Sequence, residues 1–213
     1  MIRSLAGSVA FILLMLAGWG SWQFFRYTPH IVLSIGLLIT PLFFPGGERS
    51  GIRPGQERGE SPFEFTLIIF LSSIGIAFLI PYLFAHRYGD LRPPVPLRYA
   101  GVALCIAGYG IRLIAIRTLR RQFSYFVAIQ QHHQLITTGI YSLIRHPIYL
   151  GAMLLVVGMI LLFPTLYGFL FVLIYSMLLA HRMNQEEKLL FKHFGTVYQE
   201  YRSKSYRLIP HVY

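Results

Sequence analysis

Hydrophobic residues in this chain gather in long blocks, with little of the alternation that marks strands. Apolar segments fall at about 5–25, 31–44, 63–85, 97–116, 148–163 and 165–181. A spanning helix needs roughly 20 predominantly apolar residues. The first, third and fourth segments meet that length, and the second is short. The last two form one tract divided by Pro164, which predicts a tight helical hairpin over 148–181. Arg3 precedes the first apolar run, as in a signal peptide, but Trp19 and Trp22 close that run and no small-residue cleavage site is clear. It reads as a spanning anchor. The expected fold is all-α: a polytopic transmembrane helical bundle, with five spans if 31–44 only dips into the membrane and six if it crosses.

Two polar segments complete the pattern. Residues 45–62, PGGERSGIRPGQERGESP, are rich in Gly, Pro and charge and predict a cytoplasmic loop. Residues 182–203 place Leu190, Phe194, Val197 and Tyr201 at helical spacing, with Glu187, Lys188, Lys192, Glu200 and Arg202 among the positions between. They predict an amphipathic cytoplasmic helix. The N-terminal helices and their loop thus occupy 1–96, and a C-terminal core occupies 97–213.

Composition agrees with a membrane protein. The chain is 55% hydrophobic and 13% charged, too few charges to cover so much apolar side chain in water. The net charge of +11 does not indicate nucleic acid, because the basic residues lie between apolar segments and no soluble basic domain carries them. With six spans, Arg3, then Arg49, Arg53 and Arg58, then Arg117, Arg120, Arg121 and Arg145, and the basic residues after Ala180 share one side. Arg26, Arg87, Arg92 and Arg98 fall on the other. The positive-inside rule then places both termini in the cytoplasm. Cys105 is the only cysteine, so no disulfide or cysteine metal site can form within the chain. No metal is expected.

Candidate chemistry lies in two places. The stretch from Gln130 to Gly151 holds many hydrogen-bonding groups, with Gly139 and Gly151 where backbone could approach a ligand. Within it, Arg145-His146-Pro147 stands at the edge of an apolar segment. Taken alone, the triplet reads as a charged membrane flank followed by a proline in a first helical turn. The second place is residues 181–202. Arg182 and Glu186 are four apart and share a helix face, where an ordinary surface pair would contribute only ~0.3 kcal/mol. Both emerge where the last apolar segment ends, at the depth of the triplet.

In this order the motifs are a Gln ahead of His-x-Leu-Ile-Thr-x-Gly-x-Tyr (His133 to Tyr141) and Arg-His-Pro-x-Tyr-x-Gly (Arg145 to Gly151). A hairpin follows, then Arg-x-x-x-Glu-Glu-x-x-Leu from Arg182, Phe-Gly-x-x-Tyr-x-x-Tyr from Phe194, and Ile209-Pro210. Over roughly residues 97–210 this combination resembles the isoprenylcysteine carboxyl methyltransferase family of integral membrane enzymes. The resemblance implies S-adenosylmethionine (SAM) as methyl donor, bound by a loop and helix start at 130–151. It implies that Gln130, His133, Gln134, Leu135, Ile136, Tyr141, His146, Pro147, Ile148 and Tyr149 line the cofactor site, and that Arg182 and Glu186 face the acceptor as the catalytic pair. The loop from Gln130 to His133 is shorter than in eukaryotic members.

The implied acceptor is lipophilic and enters from the bilayer, most literally as the carboxylate of a prenylated cysteine. A phospholipid amine or a small thiol would be alternatives on the same scaffold. A rival of another class is a non-enzymatic membrane protein retaining the cofactor fold. Arg112, in the middle of the fourth span, needs a partner or a water-lined cavity there. Glu64 and a backbone contact near the cytoplasmic third are both open. Phe123, Tyr125 and Phe126 read as an interfacial aromatic belt.

Overall fold

The computed structural model describes Leu13, residues 79–89, Leu91, and residues 94–119 and 134–210. The first two expected spans, most of the third, the loop at 45–62, Glu64, the aromatic belt, Gln130 and His133 lie outside the described residues. Within them the elements are helices α1 (Ile80–Ala85), α2 (Val95–Leu119), a 3-10 turn (Gly139–Ser142), α3 (Pro147–Leu162), α4 (Leu166–Phe194) and α5 (Thr196–Ser203). There is no β-strand among the described residues.

α2 and α4 are long and apolar enough to cross a membrane. At 1.5 Å per residue they extend about 37 and 43 Å, against a hydrocarbon thickness of about 30 Å. Leu166, Tyr167, Phe169, Leu170, Leu173, Ile174 and Met177 of α4 are exposed. In water such a surface would be costly; lipid solvates it. α3 is apolar throughout but has only 16 residues.

The tightest packing joins α2 to α3, and the sequence shows why. Gly101, Cys105, Gly108 and Ala115 form the buried stripe of α2. Gly101 meets Gly158 and Gly108 meets Gly151, so two glycines seven apart on each antiparallel helix face two on the other. A Cβ on Gly108 would lie 2.6 Å from the Gly151 carbonyl oxygen, and one on Gly158 2.6 Å from that of Gly101. Gly151 therefore serves helix packing, which corrects the expectation that its backbone approaches a ligand. Gly139 has φ +61° and begins the 3-10 turn, where it faces Thr118.

The core fills the space between α1, α2, α3 and α4 with Ile80, Cys105, Val156, Met159, Ile160, Leu162, Phe163, Tyr175 and Leu179. Phe84 of α1 meets Phe163 edge-on at 5.8 Å. Phe163, Pro164 and Thr165 make the turn from α3 to α4. Thr165 caps α4 by accepting the Gly168 amide at 3.1 Å, a type of contact that contributes about 1 kcal/mol.

The polar segment 182–203 is not one separate helix. α4 continues without a break through Ala180 to Phe194, and the interruption comes at Gly195, whose φ of +55° suits glycine. Hydropathy changes at residue 181 while helix-forming residues continue, so the backbone has no cause to stop there. α5 is a short helix anchored by buried Tyr198. Beyond it the chain returns to the start of α3 and forms a parallel bridge between Ile144 and Tyr206.

If the glycine contact sets the α2–α3 distance, Gly108→Leu should lower stability by about 1–3 kcal/mol through overpacking. Gly110→Ala, on the same helix with no described atom within 4 Å of the added carbon, should be neutral or mildly stabilising. Thermal melting of both variants in detergent checks the contrast.

Candidate active site

Pro147 occupies the first position of α3, where its missing amide leaves no bond unmade, and His146 is the residue before the helix. Both are buried. This places the imidazole against the polar end of α4, just past its apolar segment. His146 Nε2 lies 3.1 Å from Glu187 Oε1, and its Nδ1 lies 3.9 Å from Glu186 Oε2. One turn into α3, Tyr149 projects the same way, its ring centroid 5.5 Å from that of His146.

Arg182 and Glu186 meet through Tyr149. Arg182 Nε donates to the Tyr149 hydroxyl at 2.8 Å, and that hydroxyl donates to Glu186 Oε2 at 2.8 Å. The Arg182 guanidinium carbon also sits 5.9 Å from the Tyr149 ring centroid. Arg182 is buried, although it is charged. Hydrogen bonds to charged groups contribute about 1.5–3 kcal/mol each, so a single phenol holds the arginine and the glutamate in one arrangement. Tyr149 was expected beside the cofactor; the structure makes it the bridge of the expected catalytic pair.

The remaining residues expected at the site surround this centre. Leu135 and Ile136 are half-buried in a segment outside the helices, and Gln134 is exposed. Tyr141 is buried in the 3-10 turn, and its carbonyl accepts the Tyr201 hydroxyl at 2.7 Å. The Ile148 carbonyl accepts Arg112 Nη1 at 3.3 Å. Arg112 is half-buried one turn past Gly108, and this backbone contact is its hydrogen bond among the described residues.

Three residues absent from the expected site complete the cluster: Arg145, Glu187 and Arg207. Arg145 is more than a charged flank. Its Nε meets Glu187 Oε1 at 3.2 Å, and its Nη1 donates to the Arg202 carbonyl at 3.1 Å and to the Ser205 carbonyl. It thereby satisfies carbonyls left open at the end of α5. Arg207 Nε lies 3.4 Å from the same Glu187 oxygen, and its Nη2 donates to Asn184 Oδ1. Burial disfavours a charged Glu187, but His146, by hydrogen bond and charge, and the charges of Arg207 and Arg145 outweigh it. The carboxyl falls from 4.5 to about 2. Burial, partly offset by Arg145, raises the Tyr201 phenol to about 12, so it remains a neutral donor.

The arrangement offers a buried cation beside a carboxylate, a phenol between them, and an imidazole whose orientation is fixed by a second carboxylate. All of it lies at the end of an apolar helix pair. Among the described residues no cluster of His, Cys, Asp and Glu could hold a metal ion.

The pattern of the isoprenylcysteine carboxyl methyltransferase (ICMT) family matches residues 101–192. The chain is 34% identical over 117 residues to a probable protein-S-isoprenylcysteine O-methyltransferase of Oryza sativa subsp. indica, covering 54% of this chain and 61% of that protein. It is 36% identical over 107 residues to the protein-S-isoprenylcysteine O-methyltransferase of Saccharomyces cerevisiae, covering 49% and 45%. It thus spans about three fifths of the rice relative and under half of the yeast one. The fold resembles the solved eukaryotic intramembrane Ras methyltransferase ICMT with a TM-score of 0.63 at 23% identity, over 97% of this chain and 75% of that one. Over residues 101–192, which carry both the Arg-His-Pro triplet and the Arg182–Glu186 pair, this chain matches the pattern of the isoprenylcysteine carboxyl methyltransferase family.

Proposed function

We propose that the chain is a multi-pass membrane methyltransferase, with both termini cytoplasmic, that transfers a methyl group from SAM to a lipophilic acceptor. The acceptor we favour is the carboxylate of a prenylated cysteine reaching the site from the bilayer. The observation that carries this reading is the Arg182–Tyr149–Glu186 chain at the polar end of a lipid-length helix.

The residues at 134–149 suit SAM in kind. SAM joins a flat apolar base, a cationic sulfonium and a zwitterionic amino-acid end. Leu135 and Ile136 supply half-buried apolar surface, His146 a buried hydrogen-bonding group, and Glu186 negative charge for a cation. Gln134, Tyr141, Pro147, Ile148 and Tyr149 would complete that wall, together with Gln130 and His133. When bound, SAM supplies an electrophilic methyl group.

A carboxylate acceptor is ionised at neutral pH and needs no general base. The protein's work is then to position two reactants and keep water out. Arg182 holds the acceptor's negative charge, and Tyr149 fixes the direction of Arg182. Glu186 holds Tyr149 and offsets the guanidinium charge. An amine or thiol acceptor would instead ask Glu186 to take a proton. Its near oxygen already accepts from Tyr149, which favours the carboxylate reading.

With a prenylated cysteine derivative and labelled SAM, detergent-purified protein should form a base-labile methyl ester. Arg182→Ala and Glu186→Ala should abolish transfer while the protein stays folded. Full activity in both would remove them from the site. Tyr149→Phe removes both bonds of the bridge and should lower kcat/KM at least roughly 10- to 100-fold, the scale of a charge-assisted hydrogen bond. Wild-type activity in that variant would deny the bridge. His146→Ala should weaken SAM binding by calorimetry, and unchanged affinity would place the donor elsewhere.

A further inference from the structure

Glu187 has no part in the methyl transfer as derived above, yet two guanidinium groups and an imidazole converge on one of its oxygens. His146 Nε2, Arg145 Nε and Arg207 Nε lie 3.1, 3.2 and 3.4 Å from Oε1. The three come from two separate segments. Arg145 and His146 precede α3, while Arg207 arrives on the C-terminal tail. That tail is built in: the His146 amide donates to the Arg207 carbonyl at 3.1 Å, the Arg145 amide to the Tyr206 carbonyl at 2.8 Å, and the Tyr206 amide to the Leu143 carbonyl at 2.9 Å. Leu208 is buried beside them.

We propose that Glu187 is a positioning residue that fixes the proton of His146 on Nε2, and that Arg207 of the C-terminal strap holds Glu187 in place to do so. An ionised carboxylate only accepts hydrogen bonds, so the imidazole nitrogen facing it must carry a hydrogen. In the neutral ring the other nitrogen, Nδ1, is then an acceptor pointed toward Glu186 and the donor site. A buried imidazole without this partner could present either tautomer, and part of its population would offer the wrong group. The strong ionisation of Glu187 keeps that instruction in force across the physiological range. The tail from Ser205 to Leu208 is therefore a working part of the donor site, although no residue of it need touch the donor. The role in donor binding rests on the SAM reading above; the tautomer does not.

The test uses full-length protein in detergent, ¹⁵N-labelled at histidine, with Glu187→Gln, Arg207→Gln and Lys204→Ala. Ring ¹⁵N shifts on the alkaline side of the titration report which nitrogen carries the proton, and calorimetry reports SAM affinity. Glutamine keeps the size of glutamate but can accept or donate, so Glu187→Gln should give mixed tautomers and roughly tenfold weaker SAM binding, the scale at which losing an orienting partner acts. Arg207→Gln leaves the carboxylate in the chain and should shift both readouts the same way by less. Lys204→Ala, which removes an exposed pair with Glu200, should change neither. A pure Nε2–H signal in Glu187→Gln overturns the proposal, and wild-type behaviour in Arg207→Gln overturns the strap's share of it. If the wild type holds a pure tautomer that Glu187→Gln loses, but SAM binds neither protein, the positioning stands and the methyl-donor reading fails.

Discussion

The site depends on a contact that involves no functional group. Where Gly101 and Gly108 meet Gly158 and Gly151, two helix backbones touch, and this closeness fixes where α3 begins. Arg112 can reach the Ile148 carbonyl only because the helices are this near. His146, Pro147 and Tyr149 project from the end of α3 that the contact sets. Backbone packing without side chains has few alternative arrangements, because there are no rotamers to adjust. In lipid, where apolar side chains gain little from leaving the solvent, such close packing is a principal source of helix association.

On this frame the polar cluster resolves a problem of low dielectric. Arg182 is buried, and Glu187 is largely screened from water, at the edge of an apolar bundle. Each would be costly alone. The cluster divides the charges into two linked groups: Arg182 with Tyr149 and Glu186, and Glu187 with Arg145, His146 and Arg207. His146 stands between them, within reach of both carboxylates. The segment before α3, α3 itself, α4 and the tail all contribute to these groups, and through the Arg145 bond to the Arg202 carbonyl the cluster also holds α5 and the strap against the bundle.

Some of this was legible in the sequence because it depends on residue type along the chain. The apolar tract broken at Pro164, the proline opening α3, and the shared face of Arg182 and Glu186 follow from local rules. Tyr149 as a bridge was not legible, since nothing local says that residues 33 positions apart will meet. Glu187 reads as an ordinary polar position of an amphipathic helix, and Arg145 as a membrane flank, until the tail returns to them. The end of α4 was misplaced because hydropathy and helix propensity change at different residues, 181 and 195. The glycine contact did leave a signal: two glycines seven apart in each of two apolar segments, which is a helix-face pattern.

The unbroken course of α4 has a mechanical consequence. The exposed apolar residues from Leu166 to Met177 and the polar cluster from Arg182 to Glu187 belong to one unbroken helix. A tilt of 10° about its Thr165 end would move Glu187 by roughly 6 Å. Helices answer a change in bilayer thickness by tilting. Under the proposed membrane function, the surrounding lipid is thus connected to the polar cluster through a lever, and the clasp of Arg145 and Arg207 on Glu187 is the stop against which that lever bears.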